Sequence, residues 1–135
     1  MISKSFDIKR MVMVRINPGE DVLEALKESV GKENIKNAVI VEGIGSSSAY
    51  HYHVVSDLNL PPAEIYTKAE APADVVSISG LIIDGKIHAH VVFANDKVCY
   101  GGHLERGVKT LTFCIVGILI TNDISYKEWD NFQIL

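Results

Sequence analysis

Between residues 74 and 120 the chain is one strand-like segment after another: Asp74 to Ile83, Lys86 to Phe93, Lys97 to Leu104 and Lys109 to Ile120. Upstream, Lys9 to Ile16 (KRMVMVRI) partly alternates polar with apolar residues and reads as a strand, broken by Asn17-Pro18-Gly19. Asn37 to Val41 is a short apolar run leading into Gly43-Ile44-Gly45 and three serines, and a strand resumes around Ala49 to Val55. Asp57 to Pro72, with Pro61-Pro62 and Pro72, is loop or edge structure. Against these strands stands one clear helix, Glu20 to Val30. It has Val22, Leu23, Leu26 and Val30 at helical spacing, acidic residues in its first turn and Gly31 just past its end. One helix among many consecutive strands predicts an α+β fold, with a largely antiparallel sheet and one main flanking helix.

At 135 residues the chain has the length of one domain, 1–135, with no linker or repeat. A domain of this size buries roughly two-thirds of its unfolded surface, so it folds without a disulfide or a structural metal. With 47% apolar and 22% charged residues it is globular, and its formal net charge is −4. The basic residues are scattered, the nearest thing to a cluster being Lys9-Arg10 with Arg15. That balance argues against gripping nucleic acid or a membrane surface. Cys99 and Cys114 lie in apolar strand contexts and are expected to be two small buried residues, not a disulfide framework. The amino end lacks the apolar region of a signal peptide. The longest apolar run, Phe113 to Ile120, is far short of the ~18 residues of a membrane span. The expected setting is cytoplasmic and reducing. At the carboxyl end, Trp129 to Leu135 places apolar groups where little chain remains to cover them. Packing on the chain's own domain is the first expectation and a subunit contact the alternative.

Gly43-Ile44-Gly45 lacks the third glycine and following helix of a dinucleotide loop, so it reads as a turn or bulge pair. The chemistry-bearing stretch is IHAHVVFANDKVCYGGHLERG, which holds His88, His90 and His103. On a strand, His88, His90 and Val92 share one face, and Ile87, Ala89, Val91 and Phe93 take the other, the core face. A two-residue loop at Asn95-Asp96 would set His88 across from His103 and His90 across from Gly101, whose missing side chain leaves room for a ligand. Opposed residues have Cβ atoms ~5 Å apart, so the three imidazoles would converge. Three neutral imidazoles suit a divalent ion, zinc first, and leave one coordination position open. Glu105 alone reads as a solvated charge, but two residues beyond His103 it could be a fourth ligand, an outer anchor or a general base. His51 and His53 share a strand face with no partner nearby in sequence. They read as surface or interface histidines, with a second metal position as the alternative.

These residues also carry a resemblance. Ser77-Ile78-Ser79-Gly80, then IHAHVVF, then Gly-Gly-His-Leu resembles the plant-and-prokaryote-conserved (PPC) domain, as do RINPGEDVLEALKESV and NAVIVEGIGS upstream. The similarity runs from about Phe6 to Ile120. It implies an antiparallel sheet with a flanking helix, assembled as a homotrimer. In plants this domain follows AT-hook segments in nuclear DNA-associated proteins and serves largely in protein interaction. Some stand-alone prokaryotic members look like metal-binding proteins, and their ligand positions transfer to His88, His90 and His103. No Arg-Gly-Arg-Pro core of an AT-hook occurs in this chain, and Ser47 to His53 differs from the Arg-Asn and aromatic pattern of many prokaryotic members.

Three functions follow as expectations. The first is a homotrimeric protein binding a divalent metal and a small ligand. The second is a metal-dependent enzyme using a metal-bound water, with Glu42 or Glu105 moving the proton. The third is a DNA-associated or scaffolding module acting through its trimer surface.

Overall fold

The helix forms where its residues demand it. In the computed structural model, which describes residues 1–8 and 10–130, α1 spans Val22–Lys32. Asp21 caps it, its Oδ1 accepting from the Glu24 N–H at 3.2 Å. Val22, Leu26 and Val30 are buried from one face against the sheet. Gly31 lies inside the helix instead of ending it. The chain leaves at Asn34, whose φ of 53° is left-handed, a conformation that asparagine tolerates.

Among the described residues there are also seven strands, β1 (Arg10–Ile16), β2 (Ala38–Val55), β3 (Glu64–Ala69), β4 (Ala73–Ile83), β5 (Lys86–Ala94), β6 (Cys99–Leu104) and β7 (Lys109–Ile120), and a short 3-10 turn at Lys127–Asp130. All pair antiparallel, in the order β1-β7-β2-β4-β5-β6, with β3 on the far half of β2. The α+β expectation holds. The 18-residue β2 organises the sheet. Its first half lies between β7 and β4, while its second half pairs with β3 and, at Tyr52 and His53, with β6. Through that last pairing β2, β4, β5 and β6 form a closed ring.

Gly43 and Gly45 lie within this strand, so the bulge half of the expectation stands and the turn does not. The ladder to β7 changes register at Ile40/Glu42 and again around Ser47. A Cβ on Gly45 would sit 2.1 Å from the Phe113 carbonyl oxygen, so only glycine admits this approach of β2 to β7.

Two hairpins set the geometry that matters for function. β4 turns into β5 through Asp84-Gly85, both at positive φ (50° and 77°), a two-residue loop that matches strand twist. β5 turns into β6 through four residues, Asn95–Val98. Asn95 Oδ1 accepts the N–H groups of Lys97 and Val98 at 2.9 and 3.0 Å, and the Asn95 N–H donates to the Val98 carbonyl. This corrects the two-residue loop expected from sequence. His90, not His88, faces His103, and Gly101 faces Val92. The slip is two residues, so every side chain keeps its face.

Ala89, Val91 and Phe93 are buried with Leu104, Ile78 and Val116 in the core, as alternation predicts. Tyr50, Tyr52, Phe93 and Tyr100 pack with ring centroids 5.0–6.2 Å apart. Both cysteines are free, but only Cys114 is buried; burial pushes its thiol pKa up to about 11. Cys99 is exposed, because it opens β6 on the outward-facing side beside the loop. Near the carboxyl end Tyr126 is buried with its hydroxyl against Thr121 and Ala38, and Trp129 packs 5.7 Å from its ring. The remaining apolar terminus, 131–135, lies outside the described residues.

Candidate metal centre

Strand alternation turns the sequence Tyr50-His51-Tyr52-His53 into a division of labour. The tyrosines pack against the core and the histidines face out. The same outward face of the neighbouring strands carries His103 on β6 and His88 and His90 on β5. His53 stands directly across from His103, which stands directly across from His90.

The rings converge accordingly. His103 lies 4.9 Å from His88, 5.7 Å from His90 and 4.4 Å from His53, centroid to centroid, and His88 lies 5.7 Å from His90. The structure therefore brings the three sequence-predicted histidines together and adds a fourth. The sequence offered His53 only as a surface or interface histidine, or as part of a second metal position, because its partner is 50 residues away, through the β2–β6 pairing. The alternating Tyr-His pattern showed that it faced outward, but not toward what.

Glu105 joins the cluster. Its Oε1 accepts from His53 Nδ1 at 2.7 Å and from His103 Nδ1 at 3.0 Å. One ligating atom from each of His53, His103 and Glu105 lies within 4.8 Å of the others. Glu105 is a quarter exposed and bonded to two rings, not the solvated charge it resembles in isolation. His53 Nε2 faces Glu64 of β3 at 3.5 Å. His51 stands apart, its Nδ1–H donating to the Arg106 carbonyl at 2.7 Å. Glu42 is not brought to the cluster. It is exposed on β2, eleven residues before His53, a run of about 35 Å at strand rise.

The expected room at Gly101 is not there. A Cβ at Gly101 would meet the Val91 carbonyl oxygen at 2.0 Å, and one at Gly102 would meet that of His53 at 2.2 Å. The glycine pair lets three backbones crowd together, which is how imidazoles from three strands come within reach of one another. The open space lies beside the rings. A hollow of about 460 Å³ is bounded by the histidines and Glu64 on one side and by Val54, Val55, Pro61 and Pro62 on the other.

Electrostatics favours the uncharged ring at His90 and at His103. His90 has its pKa lowered first by desolvation, then by the neighbouring His103, His88 and His53. His103 is lowered in the same way, desolvation leading, and Glu105 opposes the shift only in part. A neutral ring keeps a lone pair for a cation, and imidazole nitrogens beside a carboxylate form a donor set that fits zinc or a similar divalent ion.

Known structures share this fold. The chain superposes on the metal-containing protein of Archaeoglobus fulgidus with a TM-score of 0.75 at 24% identity, over 89% of this chain and 85% of that one. A plant- and prokaryote-conserved (PPC) protein of Pyrococcus horikoshii gives 0.73 at 25% identity, over 90% and 85%. A candidate DNA-binding protein of Bacteroides thetaiotaomicron gives 0.73 at 16% identity, over 85% and 81%. No curated protein matches the chain. The match to the Plants and Prokaryotes Conserved (PCC) domain covers residues 3–122, taking in all seven strands and the helix, and the chain belongs to that family.

Proposed function

We propose that this is a homotrimeric protein that binds a divalent metal, zinc first, together with a small ligand, and that His88, His90 and His103 hold the ion. The observation that carries this reading is the convergence of imidazoles from β5 and β6 on one outward patch, with His90 and His103 biased toward their neutral forms. The metal content of the Archaeoglobus relative supports it. The ion would supply Lewis acidity and a position for an outside ligand next to the hollow. Elemental analysis of untagged protein beside His88→Ala and His103→Ala tests the assignment. One ion per chain in wild type, lost in both variants, is the expected result; no metal after reconstitution ends it.

The trimer is supported by an apolar outer face on β1, β7 and β2. Met11, Met13, Val41, Ile44, Leu111 and Phe113 are all more than a third exposed there, more than a single copy needs on one sheet. An enzymatic reading keeps Glu105 as the proton carrier, since it touches the cluster and Glu42 does not. A nucleic-acid role draws on the name given to the Bacteroides relative, yet the net charge of −4 opposes it. Tight binding to random duplex at physiological salt would reverse that view.

A further inference from the structure

The cluster holds one more imidazole than a three-histidine site uses, and the hydrogen bonds around His53 show why. We propose that Glu105 is a positioning residue that aims His103 at the ion and keeps His53 off it. The ion is thereby left with three protein nitrogens and one open position for a small anion. This rests on the metal reading above.

A carboxylate oxygen can only accept. With Glu105 Oε1 at 2.7 Å from His53 Nδ1 and 3.0 Å from His103 Nδ1, both Nδ1 atoms carry a proton. His103 is left with Nε2 as its donor atom, and its ring stands edge-on to His88 at 4.9 Å. A carboxylate behind a ligating histidine fixes the tautomer and the ring orientation in this way. His53 differs, because its other nitrogen faces Glu64 Oε1 at 3.5 Å. Its one ring proton is given to Glu105, and the lone pair left on Nε2 is turned toward β3, the side of β2 opposite β6 and the β5 imidazoles.

Both glutamates are themselves held, Glu64 at its carboxylate and Glu105 at its backbone. The Tyr66 hydroxyl donates to Glu64 at 2.7 Å, and the Tyr66 ring lies 5.0 Å from His53, its cross-strand neighbour. The Glu105 N–H donates to the His51 carbonyl at 3.2 Å, tying the residue after β6 to β2. His103, Glu105, His53, Glu64 and Tyr66 thus form one chain across three strands. A fourth imidazole on the ion would close the site. With His53 withheld, the fourth position borders the hollow walled by Val54, Val55, Pro61 and Pro62, which suits a small anion with a short apolar part.

The test uses Co²⁺ as the metal, azide as the anion, and ring ¹⁵N spectra of the metal-free protein at pH 8. Wild type should show Nδ1-protonated rings for His53 and His103. Glu105→Gln should keep them, because its amide oxygen still accepts. Glu105→Ala should lose them and bind Co²⁺ about 10–100-fold more weakly. His53→Ala should keep one Co²⁺ per chain and the azide-induced change in the visible spectrum. Loss of Co²⁺ from His53→Ala, as from His103→Ala, would make His53 a ligand and overturn the proposal. So would wild-type Co²⁺ affinity in Glu105→Ala. Should wild type take up no Co²⁺, the metal reading fails and the aiming at an ion falls with it; where wild type does bind Co²⁺, Nε2–H on either ring of the metal-free protein overturns the role of Glu105 alone.

Discussion

A histidine whose neighbours disfavour its charge makes the folded state sensitive to acid. In the folded protein His90 and His103 resist protonation, chiefly through desolvation and then through the nearby imidazoles, whereas in the unfolded chain they take up protons near their ordinary 6.5. A group with a lowered folded-state pKa contributes stability that is present above 6.5 and is lost as the pH falls through the lowered values. Metal-free protein should therefore hold a constant urea midpoint from pH 8 to about 7 and lose stability progressively below about 6.5. His90→Asn should flatten that slope. A wild-type midpoint unchanged down to pH 5 would mean that the rings are not held neutral. Protons compete with metal for the same lone pairs, so ion uptake should weaken over the same range.

At the level of elements, what could be read in advance and what could not divides along sequence distance. The faces of β5 were legible because alternation is local: Ala89, Val91 and Phe93 are buried and His88 and His90 lie on the opposite side. The register of the β5–β6 hairpin was not, because it depends on one side chain, Asn95, gathering two backbone N–H groups and lengthening the loop. An even slip spared the conclusion about faces; an odd one would have turned His103 inward. His53 was out of reach for another reason, since nothing local reports that β2 reaches β6. Asp21 is an element-scale residue of the same kind. Local pattern identifies it as acidic at a helix start, while the structure shows its second oxygen accepting the Gly107 N–H at 2.7 Å, with Lys109 at 3.6 Å. It fastens α1 to the turn that follows Glu105. Asp21→Ala should cost about 2 kcal/mol, the upper end for a lost cap, because it also strands a backbone N–H. Asp21→Asn should cost less. Urea denaturation measures both, and an alanine variant as stable as wild type would show that this junction is held by packing alone.

For the whole molecule, the feature that calls for a partner is the apolar outer face of β1, β7 and β2. Its inner face is filled by α1 and the core. On the outer face Met13 is 61% exposed and Ile44 46%, and the side chains of Met11, Met13 and Val41 crowd over Gly117. Apolar surface of this extent on one sheet is ordinarily covered by another subunit, since burying it stabilises by about 25 cal/mol per Å². The homotrimer of our proposal would place copies of the chain there. Met13→Glu then puts a charge on that face without touching the core, and it should convert a trimer into monomers with an unchanged far-ultraviolet spectrum. Multi-angle light scattering at micromolar concentration reads the outcome. A wild-type monomer removes the trimer directly, and a Met13→Glu protein that stays trimeric moves the interface to another face. Because His88 and His90 lie on the outward side of the same continuous sheet, the metal content of that variant carries further information. Ions retained by the monomer mean that one chain completes the site, and ions lost with the trimer mean that neighbouring copies are needed to hold it together.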